Sequence, residues 1–349
     1  MEINGRRIGT EYPPYVIAEM SNNHLCDFEK AKKIMVAAAE CGVDAIKIQT
    51  YTADSLTIDC QKPDFVIQDP LWRGQTYYQL YQAISMPLAW TEKLFTFAHE
   101  LGITLFSSPF DEASVDLLAE LNAPAYKIAS FEANDWPLIQ RAAATGKPLI
   151  ISTGTSTYAE IAELLRQEWL LPEQVALLHC VSAYPASSSM MNLNAIPRWQ
   201  ELGVAVGLSD HSLPPLASIA AVSLGACIIE KHFTLSRQDG GPDAEFSLEP
   251  DELKHLVNIS KEAWLALGDA KVLDHEQRAG SQHKRSIYAV HDIAAGELFT
   301  PDNIRVIRPG FGLSPRYYAG LLGQAATQDI ERGTALNWSL ITPQPIAGK

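Results

Sequence analysis

Two lysines of this chain stand inside runs that are otherwise apolar: Lys47 in "DAIKIQ" (Asp44–Gln49) and Lys127 in "AYKIAS" (Ala125–Ser130). A lysine in an apolar strand is costly unless it is paired. Two at equivalent strand ends point to a site for an anion with several oxygens, such as a phosphate plus a carboxylate. Lysines ion-paired to nearby carboxylates would satisfy the same pattern. Lys47 and Gln49 are two apart and so share one side of an extended strand. Hydroxyls close the other apolar runs: Ser108 in "ITLFSSP", Ser130 in "AYKIAS", Ser152 in "PLIISTG", Ser182 just ahead of Tyr184 in "VALLHCVSAYP", and Ser209 in "VAVGLSD". With strand-end amides they could complete an oxyanion site.

Two imidazoles end two further runs, His211 in "GLSDHS" and His232 in "CIIEKHF". Neighbouring strands lie about 5 Å apart, so the two rings could reach one divalent cation. Two histidines with open positions for water and substrate suit Mn²⁺ or a related ion rather than structural zinc. One histidine oriented by Asp210 or Glu230 as an acid or base is the competing reading. Glu230 and His232 share a side of their strand and Lys231 points the other way. Asp210 could orient His211 or only cap the turn. His24 in "SNNH" is placed provisionally in the same pocket, and His179 in the core.

The elements that must position these groups repeat as apolar strand, polar tip and amphipathic helix. Strands are expected at Tyr15–Met20, Asp44–Gln49, Ile103–Pro109, Ala125–Ser130, Pro148–Gly154, Val175–Ser182, Val204–Asp210 and Cys227–Phe233. Their Ile, Val and Leu content is that of strands buried on both faces. Helical patterns lie between, such as "FEKAKKIMVAAAECG" ending at Gly42 and "DEASVDLLAELN" with an Asp cap. Eight such units in about 250 residues predict an α/β fold of the (β/α)₈ TIM-barrel kind, with catalytic groups at the C-terminal strand ends. A doubly wound sheet competes, but no G-x-G-x-x-G follows the first strand. The long segment from Tyr51 to about Ala89 reads as a lid over the site or as an extra packed helix.

Composition narrows the partners. A net charge of −14 argues against nucleic acid or an anionic membrane as partner. No apolar run approaches a membrane span and "MEINGRRIGTEYPPY" lacks a signal-peptide core, so a cytoplasmic protein is expected. Five cysteines without a C-x-x-C fit reduced, mostly buried thiols. The pattern changes after Gly268. The expected organisation is a catalytic barrel over 1–268, a linker with a helical stretch over 269–283, and a small β-rich domain over 284–349.

The stretches "IAEMSNNH", "DAIKIQT", "FSSPFD", "AYKIAS", "ISTG", "GLSDHS", "EKHFT" and "GPDAEFSLEP" occur in the order seen in the sialic acid synthase family, which this chain resembles over nearly its whole length. The tail "RSIYAVHDIAAGELFTPDNIRVIRPGFGL" resembles that family's antifreeze-like (SAF) domain. The resemblance implies condensation of phosphoenolpyruvate with an acylated amino sugar to give a nine-carbon 2-keto acid. "KIQTYTADSLT", "LWRGQTYYQLYQ" and "YKIASFEAND" look most like the pseudaminate branch, whose sugar is 2,4-diacetamido-2,4,6-trideoxy-L-altrose. The N-acetylneuraminate and legionaminate branches share the motifs.

Carried over by motif, the resemblance assigns phosphoenolpyruvate contacts to Lys47, Ser108, Lys127, Ser130, Ser152, Ser182 and Ser209. It assigns a divalent cation, Mn²⁺ or Mg²⁺, to His211 and His232, and the sugar to Glu19, Gln49, Tyr184 and Asp243. Glu19 could position a sugar hydroxyl or relay a proton. Arg308 matches an arginine that a partner subunit's tail places over the site, which implies a domain-swapped homodimer. Ser182 and Ser108 stand where N-acetylneuraminate synthases often carry Asn and Thr, a difference that bears on fine specificity. Outside the family, a Schiff-base aldolase using Lys127 or Lys47 is one alternative, and a purely binding role for the ice-binding-like tail is another.

Overall fold

Eight short strands, each buried along nearly its whole length, close into one parallel barrel. They are β1 Tyr15–Glu19, β2 Ala45–Thr50, β3 Thr104–Pro109, β4 Tyr126–Ile128, β5 Leu149–Ser152, β6 Val175–Cys180, β7 Ala205–Asp210 and β8 Ile228–His232. They follow one another in chain order around the ring, and β8 pairs back onto β1. The TIM-barrel expectation therefore holds. This computed structural model describes residues 1–68, 74–269 and 279–342, which divide into two compact units, Met1–Gly268 and Asp269–Lys349.

Five of the eight strands (β1, β4, β5, β6 and β8) end sooner than their apolar runs, whereas β2 runs one residue further, to Thr50. β4 stops at Ile128 because Ser130 begins a tight turn, Ser130–Glu132. There the Ser130 hydroxyl accepts the Gly154 N–H at 2.8 Å, so a side chain takes over from the ladder. Helices wrap the outside. Phe28–Glu40 is capped by Asp27 and Glu112–Glu120 by Asp111, whose carboxylates accept first-turn N–H groups. Tyr158–Leu164 opens with a reciprocal Thr157–Glu160 capping box. Their apolar faces join the outward strand residues in one large core.

The barrel interior explains where the polar groups stand. Alternate residues of each strand face inward. One inward residue of each of seven strands is apolar: Ile17, Ala45, Phe106, Ala125, Ile150, Leu178 and Ile228 belong to a single buried cluster, joined by Ile3 and Ile8 near the N-terminus. Gly207 holds the corresponding position on β7. Two residues further along, the same eight columns read Glu19, Lys47, Ser108, Lys127, Ser152, Cys180, Ser209 and Glu230, all buried. One step of the pleat thus converts a hydrocarbon plug into a polar floor.

The segment after β2 contains the short helix Ala53–Leu56 and the helix Tyr77–Ile84, whose Thr76 and Gln79 cap each other's backbone. Residues 69–73 of the expected lid, including "LWR", lie outside the described residues. So do 270–278 of the expected linker and 343–349 of the tail. Within the second unit, β9 Ser286–Ala289 pairs antiparallel with β10 Ile304–Ile307. Ile287, Phe299, Ile304, Ile330 and Leu336 anchor a core of its own. No helix among the described residues is long and apolar enough to cross a membrane.

Gly207 tests the interior packing. A Cβ there would stand 2.4 Å from the Ile228 carbonyl oxygen and 2.7 Å from Leu178 Cδ2. Gly207→Ala should destabilise the barrel by about 1–3 kcal/mol through overpacking, read as a lower urea midpoint. An unchanged midpoint would contradict this packing.

Candidate active site

The polar floor is a network of four charges and the groups that bridge them. Lys47 Nζ lies 2.7 Å from Glu19 Oε2 and 3.7 Å from Glu230 Oε2. Lys127 Nζ stands more loosely, 4.0 Å from Glu230 Oε1. It donates instead to Ser152 Oγ at 2.6 Å and to the Ile128 carbonyl at 3.0 Å. Ser209 Oγ donates to Glu230 Oε1 at 2.9 Å, and Gln49 Nε2 to Glu19 Oε1 at 2.9 Å. The ladders create this convergence, since Lys47 sits opposite Glu19 across β1–β2 and Glu230 opposite Ser209 across β7–β8. The ion-paired reading of the lysines is therefore seen directly, and both lysines also line a cavity.

The two glutamates are driven apart electrostatically. Burial works to raise both. At Glu230 the Lys127 and Lys47 ammoniums outweigh it and hold the carboxyl below its ordinary range. At Glu19 burial wins against Lys47, helped by repulsion from Glu230, and its carboxyl is pushed up. Burial depresses Lys127, whereas Lys47 stays firmly protonated because two carboxylates overcome burial. The two carboxyls are thus displaced in opposite directions within one pocket, Glu230 toward the ionised form and Glu19 toward the protonated one.

The imidazoles of His211 and His232 face each other above this floor, with ring centres 5.4 Å apart. His211 Nδ1 lies 2.9 Å from the Val181 carbonyl oxygen. A carbonyl can only accept, so Nδ1 carries the proton and Nε2 keeps a lone pair. His232 Nδ1 is buried without a hydrogen-bond partner, 3.8 Å from Asp243 Oδ2. Burial depresses both rings, and at His232 the neighbouring His211 adds to it, so both are neutral imidazoles. Among the described residues no group of three or more His, Cys, Asp or Glu side chains is arranged to hold a metal ion. The donors nevertheless fit a cation site whose remaining positions are left to water and substrate. Two neutral rings converge, and one nitrogen is buried with nothing to bond.

The cavity above these groups has a volume of about 350 Å³. Of the expected residues it is lined by Glu19, Lys47, Gln49, Lys127, Ser130, Ser152, Tyr184, Ser209, His211, His232 and Asp243. Ser108 stands behind Lys47, accepting from its Nζ at 3.3 Å, and Ser182 behind Ser130, donating to it at 3.2 Å. Arg308 belongs to the second unit and is exposed just after β10. His24 is not in the pocket. It is buried edge-on against Trp90, with Nδ1 accepting the Cys26 N–H, because the chain turns away after β1. His179 is a core residue bonded to the Met191 carbonyl.

Ser21, Phe110 and Glu132 escaped sequence reasoning, whereas Tyr51, Leu56, Tyr81 and Ile84 come from the 51–89 segment expected as a lid or an extra packed helix. Ser21 lies just beyond β1 and joins Gln49 Nε2 to Asp243. Tyr51, Leu56, Tyr81, Ile84 and Phe110 form an apolar wall; the Tyr51 ring stands edge-on to Phe110 at 5.2 Å and to Tyr81 at 6.1 Å. Glu132 is the most consequential. Its Oε2 is buried without a hydrogen-bond partner, and burial raises its carboxyl to about 7 against a smaller opposing pull from Lys127. It sits on a turn, where no strand period could flag it.

The NeuB family model matches residues 34–272 and the SAF domain model residues 284–342. Pseudaminic acid synthase of Campylobacter jejuni (strain 81-176) is 44% identical over 335 residues, 95% of this chain and 97% of that protein. The Helicobacter pylori protein of the same name is 39% identical over 93% of this chain and 97% of its own. N,N'-diacetyllegionaminic acid synthase of Legionella pneumophila is 34% identical over 97% of this chain and 98% of its own. Among solved structures, spore coat polysaccharide biosynthesis protein SpsE of Bacillus subtilis aligns over 99% of both chains, with TM-score 0.65 and 34% identity.

The buried Glu132 carboxyl predicts a pH signature. Its folded-state pKa of about 7 lies above the unfolded value, so the native state binds the extra proton. Stability is fully present below about pH 4.5 and falls as pH rises through 7, by at most about 3 kcal/mol. Glu132→Gln should remove that decline, so that the variant gains on wild type between pH 5 and pH 8 in urea unfolding. Parallel pH dependences would contradict the assignment.

Proposed function

The chain belongs to the NeuB family, and from that premise we propose that it is a pseudaminic acid synthase of the cytoplasm. The reaction joins phosphoenolpyruvate, 2,4-diacetamido-2,4,6-trideoxy-L-altrose and water into pseudaminic acid and phosphate. The observation that carries the reading is the pairing of two cavity environments. The floor offers Lys47 and Lys127 with hydroxyls to a small polyanion, and the wall of Tyr51, Leu56, Tyr81, Ile84 and Phe110 offers apolar surface. A sugar that has exchanged hydroxyls for acetamido groups and a terminal methyl suits that wall better than a fully hydroxylated one. Identity of 39–44% to proteins named pseudaminic acid synthase supports the same choice over the legionaminate branch.

The residues divide the work as follows. Lys47 and Lys127 hold the carboxylate and phosphate of phosphoenolpyruvate, with Ser130, Ser152 and Ser209 supplying hydroxyls, so that C3 is fixed for attack on the sugar aldehyde carbon. Gln49, Tyr184 and Asp243 hold the open-chain sugar. His211 and His232 would hold a divalent cation, Mn²⁺ or Mg²⁺, which would supply Lewis-acid charge to the sugar aldehyde. As C3 bonds to the aldehyde carbon, positive charge develops at phosphoenolpyruvate C2, and water adds there. The water proton needs an acceptor, and Glu132 is a carboxyl poised near neutrality without a partner. Glu19, raised by burial, delivers a proton to the new alkoxide. Phosphate then leaves with cleavage of its bond to C2. Ser108 and Ser182 act by supporting Lys47 and Ser130. Arg308, from the tail of a partner subunit in a domain-swapped homodimer, brings a planar cation to the acetamido or carboxylate oxygens.

Lys127, with its ammonium depressed by burial, also fits a Schiff-base aldolase. One assay separates the readings. Phosphate release is followed with phosphoenolpyruvate, Mn²⁺ and the altrose-, legionaminate- and N-acetylmannosamine-type sugars in turn. The proposal expects release with the altrose sugar at a rate at least about tenfold above the others, equivalent to about 1.4 kcal/mol in the transition state, and loss on EDTA treatment. No release with the altrose sugar would sink it, and inactivation by borohydride with substrate would favour the aldolase.

A further inference from the structure

Behind the two imidazoles, on the outward side of the same strand ends, lies a second charge pair that the proposed chemistry does not use. Lys231 Nζ is 3.1 Å from Asp210 Oδ2, and both side chains are wholly buried. They face each other across the β7–β8 ladder. Neither lines the cavity. Asp210 also accepts the Ser212 N–H at 2.8 Å, the Ser212 hydroxyl at 2.7 Å and, from the outer helix Leu216–Ser223, the Ser218 hydroxyl at 2.7 Å. Lys231 Nζ donates in turn to the Ser212 carbonyl.

The consequence is positional. His211 lies between Asp210 and Ser212, and both flanks are tied: the preceding residue through its carboxylate, the following one through its N–H, hydroxyl and carbonyl. The same carboxylate grips Lys231, the residue before His232. One buried cluster therefore sets the backbone that carries each imidazole. Ser218 fastens it to the outer helix, and the ion pair itself links β7 to β8. An isolated buried ion pair is poor evidence for stability, and its better-attested use is to fix register.

The geometry points to Asp210 and Lys231 as positioning residues that hold His211 and His232 at the spacing a shared divalent cation requires. This rests on the reading of the two histidines as cation ligands. Groups that orient metal ligands from behind typically change affinity by about ten- to a hundredfold when removed.

The test is Mn²⁺ binding by the full-length protein without substrate, read from the electron paramagnetic resonance signal of free Mn²⁺, with thermal unfolding measured in parallel. Asp210→Asn keeps the volume and removes the charge; Ser218→Ala, a milder change that should fold regardless, loosens the outer tether. The Mn²⁺ dissociation constant should rise about ten- to a hundredfold in Asp210→Asn and at least about threefold in Ser218→Ala. Folded variants that bind within twofold of wild type, whatever their melting temperatures, would overturn the inference while leaving the cation reading intact. A wild-type chain that takes up no Mn²⁺ would overturn both.

Discussion

Lys47 is shared between Glu19 and Glu230 in the floor of the barrel, and the rest of the site depends on keeping those buried charges compensated. Removing an ion from water costs several kcal/mol even after relaxation, so each charge must be matched by a partner or hydrogen bonds. Lys47 has two carboxylates and remains a cation. Glu230 has two ammoniums and Ser209 and remains an anion. Glu19 has the weaker share, and its proton affinity rises. Lys127 is left with a loose ion pair, a serine and the Ile128 carbonyl. It has the least compensation, and an incoming phosphate or carboxylate would supply what it lacks. A small polyanion bound beside Lys127 would relieve that imbalance.

Much of this was legible because a β-strand has a period of two. Glu19, Lys47, Ser152, Ser209 and Glu230 each follow an inward apolar residue or Gly207 at a spacing of two, so once eight strands were recognised their side chains had to converge. The barrel itself was legible from Ile-, Val- and Leu-rich runs that only strands covered on both faces would carry. What lay on turns was not. Glu132 and Ser21 stand just past strand ends, where no periodicity says which way a side chain points. The wall of Tyr51, Tyr81 and Phe110 comes from three separate segments, and its aromatics could equally have packed in an outer core. His24 was drawn into the pocket by its position after β1, but the turn there carries it against Trp90 instead.

Asp210 shows how one residue type can hide several roles. Sequence left it between orienting His211 and capping a turn. Its Oδ1 does cap the turn, through Ser212, while its Oδ2 grips Lys231 and Ser218. It touches neither imidazole directly; its influence on them passes through backbone. The imidazoles have separate local supports, with the Val181 carbonyl fixing the His211 tautomer and Asp243 standing near His232. The barrel therefore presents a charged floor, a pair of neutral imidazoles and an apolar wall within one cavity, each held by different elements.

The central claim is that the charged floor is the anchor for phosphoenolpyruvate, and the most direct test is calorimetric binding of phosphoenolpyruvate alone to wild type, Lys47→Met and Lys127→Met. Loss of a charge-assisted contact in a buried site predicts at least about a hundredfold weaker binding for each variant, or roughly 3 kcal/mol. Folded lysine variants that bind phosphoenolpyruvate as tightly as wild type would contradict the account.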